Sequence, residues 1–168
     1  TSGLVIHPAF DASITANPRS AAMQSTITQA IAVYQSLFSD PITVTILFRY
    51  SSKTARGTEV GGTARSEFVV YDIDWTGFVP RLKADAKTRN DAPANASLPA
   101  AALSAKITCA GAHGRALGLN TPPSMFANGG EPVGGPFAGI GTLNTAPPSK
   151  ISDPSTPPHD SHHPRPAV

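Results

Sequence analysis

The sequence predicts an α/β (α+β) fold, in which a small mixed sheet carries flanking helices and Pro/Gly-rich loops join the elements. Three features predict it: a long segment with apolar residues at helical spacing, an alternating segment directly after it, and a short Gly-rich strand further on. With 168 residues, the chain suffices for one domain with a modest core. Its 17 prolines and 14 glycines are typical of loop-rich or exported proteins.

The N-terminal part is predicted to form a strand and then a long helix. Gly3–Phe10 is an apolar run that indicates a short strand, stopped near Pro8. A helix from Pro18 to Phe38 is expected next, with Asn17 as its cap and proline in its first turn. Its apolar stripe, which we expect to face the core, consists of Met23, Ile27, Ala30, Ile31, Tyr34, Leu37 and Phe38.

Three further segments have strand patterns. Ile42–Tyr50 alternates apolar and polar residues, which predicts a half-buried strand. Glu67–Ile73 is rich in β-favouring residues, and we expect it to pair with Ile42–Tyr50 and to lie with it under the long helix. Gly139–Asn144 indicates a third, shorter strand.

The remaining segments are less regular. A helix is expected after Trp75, with Pro80 tolerable only in its first turn. Thr88–Pro99 is typical of a linker, and Ser97–Ile107 of a short helix. Thr121–Gly141 mixes proline and glycine, so it is expected to be an irregular, exposed loop.

Composition argues against several function classes. A net charge of +2 gives no concentrated basic field, so nucleic acid is not an expected partner. No apolar run approaches the roughly 20 residues of a membrane span. The sequence GGPFAGIG lacks the Lys and Ser/Thr of a phosphate-binding loop. Cys109 is alone, and a buried, inert thiol is its simplest interpretation.

Isolated polar residues give weak signals for a site. Asp72 and Asp74 alternate to one side of a strand, where they could bind a cation or act as a carboxylate pair. A solvated strand end explains them more simply. His113 has no neighbouring Asp or Glu in the sequence that could orient it, so a surface histidine is the simpler interpretation.

Several blocks in order carry a resemblance to a known family. They are ITQAIAVYQSLFSDPITVTILFRY, NDAPANASLPAAALS, GRALGLNTPPSMFANG and VGGPFAGIGTLN. These blocks resemble a family of exported bacterial zinc metalloproteases of the zincin type, and the similarity runs from about Ile6 to Pro147. The resemblance implies a secreted or cell-surface protein. It also implies that full-length relatives bind zinc and act on a protein or peptide substrate.

The catalytic motif that the resemblance calls for is missing from this chain. Zincins carry an HExxH-type helix, whose histidines bind zinc and whose glutamate is the general base. Relatives present it shortly after the block that matches Gly139–Asn144. In this chain no histidine is directly followed by a glutamate. The five histidines are His7, His113, His159, His162 and His163. We therefore assign no catalytic residue, no cofactor-binding residue and no zinc to this chain.

The C-terminal stretch departs from the family pattern. Residues 1–146 are expected to form an incomplete zincin-like domain, and Pro147–Val168 a disordered Pro/His-rich tail. A truncated or frame-shifted reading of a longer gene would produce such a change. His159, His162 and His163 could hold nickel, copper or zinc weakly, because the tail offers no scaffold to order them.

Three function hypotheses follow from these observations. The first is part of a secreted zinc-dependent metallopeptidase, inactive alone because it lacks the zinc-binding motif. The alternative is a noncatalytic extracellular binding or structural module, whose Thr121–Gly141 loop meets a partner. The third is weak metal binding by the tail. Self-association is also expected, because apolar surface that the active-site helix would cover is left exposed.

Overall fold

The structure, a computed structural model, describes residues 3–130 and 134–145. It has the expected α+β architecture, with a small mixed sheet and flanking helices. The strands are β1 Val5–Phe10, β2 Thr43–Tyr50, β3 Ala64–Phe68, β4 Val70–Asp74, β5 Lys106–Ala110 and β6 Gly139–Leu143. The helices are α1 Ala12–Thr15, α2 Ser20–Leu37, α3 Trp75–Ala84, α4 Asp91–Ala96 and α5 Gly111–Ala116. The predicted tail, Pro147–Val168, lies outside the described residues.

The main sheet has four strands in the order β1-β2-β6-β3. β1, β2 and β6 run parallel to one another, and β3 runs antiparallel to β6. Helices α1 and α2 cross from β1 to β2, and Ile14, Ile27 and Ile31 form a core against one side of the sheet, which we call the helix face. Leu47 and Ile140 point to the other side, where Met125 covers them. We call that side the loop face.

β1 continues through the proline that was expected to stop it. Pro8 pairs in register with Ile46, and the strand reaches Phe10. The N–H of Val5 donates to the carbonyl of Ile42 at 2.9 Å, so alternate residues bond to β2 and Pro8 points to the outside of an edge strand. The missing N–H of Pro8 therefore costs no ladder hydrogen bond.

The long helix is confirmed, but only part of its predicted stripe is buried. It runs from Ser20 to Leu37, two residues later than predicted at its start, and Asn17 accepts a hydrogen bond from the Arg19 N–H at 2.9 Å. Ile27 and Ile31 are buried against β1 and β2. The expected burial of the C-terminal part is wrong: the exposed fractions are 58% for Tyr34, 68% for Leu37 and 51% for Phe38.

The predicted strand Glu67–Ile73 is two strands in different sheets. β3 ends at Phe68 and pairs with β6, while β4 begins at Val70 and pairs with β5. The expected pairing with Ile42–Tyr50 is therefore wrong, because β6 lies between β2 and β3. The break falls at Val69, which turns into the loop-face core.

A second unit consists of β4, β5 and the helices around them. Its core is Phe78, Cys109 and Leu117. The predicted helix over Ser97–Ile107 is wrong, since Lys106–Ala110 is strand β5, and the predicted linker contains α4 instead. Pro80 lies inside α3 beyond its first turn, which also differs from the expectation.

Thr121–Gly141 is not the exposed loop that its composition suggested. Met125 is fully buried beneath the loop face, and its N–H donates to the Phe137 carbonyl at 3.0 Å. Thr121 and Ser124 are also buried. Met125 and Phe137 therefore close the core on this side, because the sheet would otherwise leave Leu47 and Ile140 uncovered.

Among the described residues, no helix is both long enough and apolar enough to cross a lipid bilayer.

Candidate functional site

β3 presents an open edge of the main sheet. The N–H of Asn144 donates to the Thr63 carbonyl at 2.9 Å, so alternate backbone groups from Thr63 onward face β6. With the observed register, Arg65 and Glu67 therefore bond to β6. The backbone groups of Ser66 and Phe68 point away from the sheet. Such outward N–H and C=O groups are a template for a further strand.

The opposite edge of the same sheet is closed. On β1, the outward N–H of Ile6 donates to the side-chain oxygen of Gln35 on α2 at 2.6 Å. Pro8, the next outward residue, has no N–H. β1 therefore lacks the donors that strand addition requires, and β3 remains as the open edge of this sheet.

A groove runs along the outside of β3. It encloses about 360 Å³ and is lined by Arg56, Thr58, Arg65, Ser66, Glu67 and Phe68. Because consecutive β3 residues line it, side chains from both faces of the sheet border the groove. We call it the edge groove.

On the helix face, an apolar cleft adjoins the edge groove. It also encloses about 360 Å³, and Gly139 and Gly141 of β6 form part of its floor. Ile46, Phe48 and Phe68 project around this floor, with residues 110–112 at the start of α5 on the opposite side. We call the cleft the glycine slot.

On the loop face, Glu67 is fixed by contacts near its carboxylate. Its side chain is 8% exposed, it accepts a hydrogen bond from the Ala55 N–H at 2.9 Å, and it lies 3.6 Å from the Arg56 guanidinium. Arg65, two residues earlier on the same face, is exposed. Within the described ranges, Arg65 has no ion-pair partner.

α5 is held over the sheet by a network of polar contacts. The Arg115 guanidinium donates to the Thr43 carbonyl at 3.2 Å, which ties α5 to β2. Burial lowers the pKa of Arg115, and the nearby Tyr71 opposes that shift. The Tyr71 hydroxyl lies 2.6 Å from both the Pro122 carbonyl and the Ser124 hydroxyl. These bonds fix one wall of the glycine slot.

The residues singled out from sequence are not brought together. Asp72 and Asp74 are exposed, and Asp72 accepts a hydrogen bond from the Thr108 hydroxyl at 2.9 Å. His113 is exposed, with its ring centroid 6.0 Å from that of Phe78. Cys109 is buried, and burial raises its pKa. His159, His162 and His163 lie outside the described residues.

The described residues do not fit a zinc centre. Across residues 3–130 and 134–145, no group of three or more His, Cys, Asp or Glu side chains is placed to hold a metal ion. Protein zinc sites use at least three such ligands. We therefore derive no chemical step through a metal.

The position of β3 at the edge of the sheet had no sequence signal. Glu67 and Phe68 belonged to a predicted strand, but nothing in the sequence indicated that this strand is the outer one. Gly139 and Gly141 were predicted to be in a strand, and paired glycines on one side of a strand are a signal for close approach of a ligand.

No family model, no curated protein and no solved structure matches this chain. The resemblance to exported zinc metalloproteases is therefore carried by the quoted sequence blocks alone.

Proposed function

We propose that this chain is a noncatalytic peptide-binding module related to exported zinc metallopeptidases. It binds an extended segment of a protein as an additional strand beside β3, and it does not hydrolyse that segment. The observation that carries the proposal is the open edge of β3, with a groove along it and an apolar slot next to it. Strand addition to a sheet edge is a general mode of peptide recognition.

The affinity in this mode comes from the backbone. The outward N–H and C=O groups of Ser66 and Phe68 would bond to the incoming segment, and its side chains would point alternately to the two faces. β1 offers no competing edge, because Gln35 occupies the N–H of Ile6 and Pro8 has none.

The missing catalytic motif supports the proposed lack of hydrolysis. No histidine in the chain is followed by glutamate, so the HExxH arrangement of two zinc ligands and a general base is missing. Binding of an extended substrate without cleavage is what a zincin-like domain without that motif would retain. We also propose that the chain is secreted or lies at the cell surface, and that full-length relatives bind zinc as their cofactor.

A pair of substitutions at Ser66 tests the proposal. Ser66→Pro removes the outward N–H, and Pro8 is the precedent for an outward proline in this sheet. Ser66→Ala changes the same side chain but keeps the N–H, so it is the matched control. We would measure binding of fluorescein-labelled short peptides, which alternate leucine with a polar residue, by fluorescence anisotropy.

The expected result is that Ser66→Ala still binds the peptide with leucine and glutamine and Ser66→Pro does not. Thermal melts of both variants verify that each is folded. Equal binding by the two variants would show that the outward N–H plays no part and would overturn the proposed mode. Cleavage of any of these peptides by the purified chain would contradict the absence of catalysis.

A further inference from the structure

The edge of β3 offers different chemistry on the two faces of the sheet. The glycine slot lies on the helix face, and Arg65 lies on the loop face. A strand added beside β3 would present its side chains alternately to these two environments. We propose that the bound segment alternates apolar and acidic side chains, with an apolar side chain in the glycine slot and an acidic one beside Arg65. This inference rests on the proposed peptide binding.

The slot is open above Gly139 because neighbouring side chains leave a gap there. Gly139 pairs in register with Ile46 on one side and Phe68 on the other, and it contributes no side chain between them. A Cβ at Gly141 would lie 3.3 Å from the ring of Phe48, so that ring covers Gly141. A Cβ at Gly139 would lie 3.0 Å from the Glu67 carbonyl oxygen and 3.6 Å from the Phe68 Cβ, which are atoms of the neighbouring strand and not of a ring above it. The space above Gly139 therefore remains available to an incoming side chain.

The chemistry of the slot favours an apolar group. Its walls are Ile46, Phe48 and Phe68, and its far side is formed by residues 110–112, which are two alanines and a glycine. Phe68 is 53% exposed, so an apolar side chain packed on it would remove aromatic surface from water. A volume of about 360 Å³ is ample for a leucine or phenylalanine side chain.

The loop face favours an acidic group because its uncompensated charge is positive. Glu67 is nearly buried and already accepts from Ala55 and pairs with Arg56. Arg65 is exposed and, among the residues that the structure describes, has no acidic partner. Opposite charges at facing positions of neighbouring strands attract, and like charges repel.

Three peptides measure the charge preference. They alternate leucine with glutamate, glutamine or lysine, are blocked at both ends, and carry the same fluorophore. For an exposed ion pair we expect the glutamate peptide to bind about 2- to 5-fold more tightly than the glutamine peptide, and the lysine peptide more weakly than both. The preference should shrink as the salt concentration rises.

Variants at Arg65 assign the preference to this side chain. Arg65→Gln should make the glutamate and glutamine peptides equal, and Arg65→Glu should reverse the order in favour of lysine. Arg89→Glu is the matched control, because Arg89 is exposed and lies far along the chain in the segment before α4. An unchanged glutamate preference in Arg65→Glu would overturn the charge assignment.

A second pair of variants tests the slot. Ala112→Leu places a larger side chain at its wall, and Ala92→Leu makes the same change on the exposed surface of α4. We expect Ala112→Leu to weaken binding of the leucine–glutamate peptide and Ala92→Leu to leave it unchanged. Equal affinity in both variants would contradict occupation of the slot.

These outcomes separate the two proposals. If the three peptides bind with equal affinity, the edge binds peptides but the charge selection is wrong. If none of them binds the folded wild-type chain, peptide binding fails and the selectivity fails with it.

Discussion

Thr121 packs directly against Gly114, and no side chain larger than hydrogen fits between them. A Cβ at Gly114 would lie 2.7 Å from Cγ2 of Thr121. Thr121 is 1% exposed, and its hydroxyl donates to the Gly111 carbonyl at 2.8 Å. The segment after α5 is thereby locked onto that helix, which keeps α5 beside the glycine slot.

The first prediction concerns this contact. Gly114→Ala should lower the free energy of unfolding by about 1–3 kcal/mol, because the added methyl group overpacks a buried site. Gly77→Ala is the matched control, since a Cβ at Gly77 in α3 would meet nothing within 4 Å. It should raise stability by about 0.5–1 kcal/mol through helix propensity. Chemical denaturation measures both, and an equal effect of the two changes would contradict the close packing.

The second prediction compares two aspartates that precede helices. Asp11 accepts from the Ser13 N–H at 2.9 Å and pairs with Arg49 at 2.9 Å, whereas Asp74 makes no capping hydrogen bond. Asp11→Ala should cost about 1–2 kcal/mol of unfolding free energy, in the range of a lost cap. Asp74→Ala should stay within about 0.5 kcal/mol of wild type, as exposed substitutions usually do. If denaturant titrations show a smaller loss of unfolding free energy for Asp11→Ala than for Asp74→Ala, Asp11 does not act as a stabilising cap.

The third prediction concerns the single thiol. Cys109 is 5% exposed, and burial raises its pKa above the ordinary value. An aromatic disulfide reagent should therefore react slowly with the native chain and quickly with the unfolded chain. The raised pKa keeps the native thiol protonated where the unfolded one ionises, so this group's contribution to stability should fall as the pH rises above about 8.5. Equal reaction rates in both states would contradict burial.

The fourth prediction concerns the exposed end of α2. Val33, Tyr34, Leu37 and Phe38 are all more than half exposed, and α2 contains no charged residue. We expect the wild-type chain to self-associate through this apolar surface at high concentration. Leu37→Glu should shift light scattering towards the monomer without a large loss of stability, because Leu37 is 68% exposed. A wild-type chain that stays monomeric at high concentration would show that this apolar surface does not mediate self-association.

The elements that could be predicted from sequence are those whose signals are local. α2 has apolar residues at helical spacing, and β2 has alternation, so each was found within a few residues of its bounds. β5 was missed because Lys106–Ala110 is a short strand that follows an alanine-rich segment. The chain from β3 to β4 looked like one strand because β-favouring residues continue across Val69, where the chain leaves one sheet for the other.

The candidate site could not be predicted because it depends on strand order. Pro8 is harmless only because β1 lies at an edge, and the backbone of Ser66 faces outward only because β3 is the last strand, beyond β6. Both facts arise from pairing between distant segments, which local patterns do not report. The predicted burial of Tyr34 and Leu37 failed for a related reason: the stripe is longer than the part of the sheet beneath it.

Amide hydrogen exchange of the β3 backbone, measured by NMR, is the most direct test of strand addition at β3. We would compare the folded chain alone and saturated with the leucine–glutamate peptide, with the amide of Ile6 on the closed edge as an internal reference. We expect the outward amides of Ser66 and Phe68 to become protected when the peptide binds, while the amide of Ile6, already bonded to Gln35, does not change. Protection that appears elsewhere and leaves Ser66 and Phe68 exchanging as before would contradict strand addition at β3.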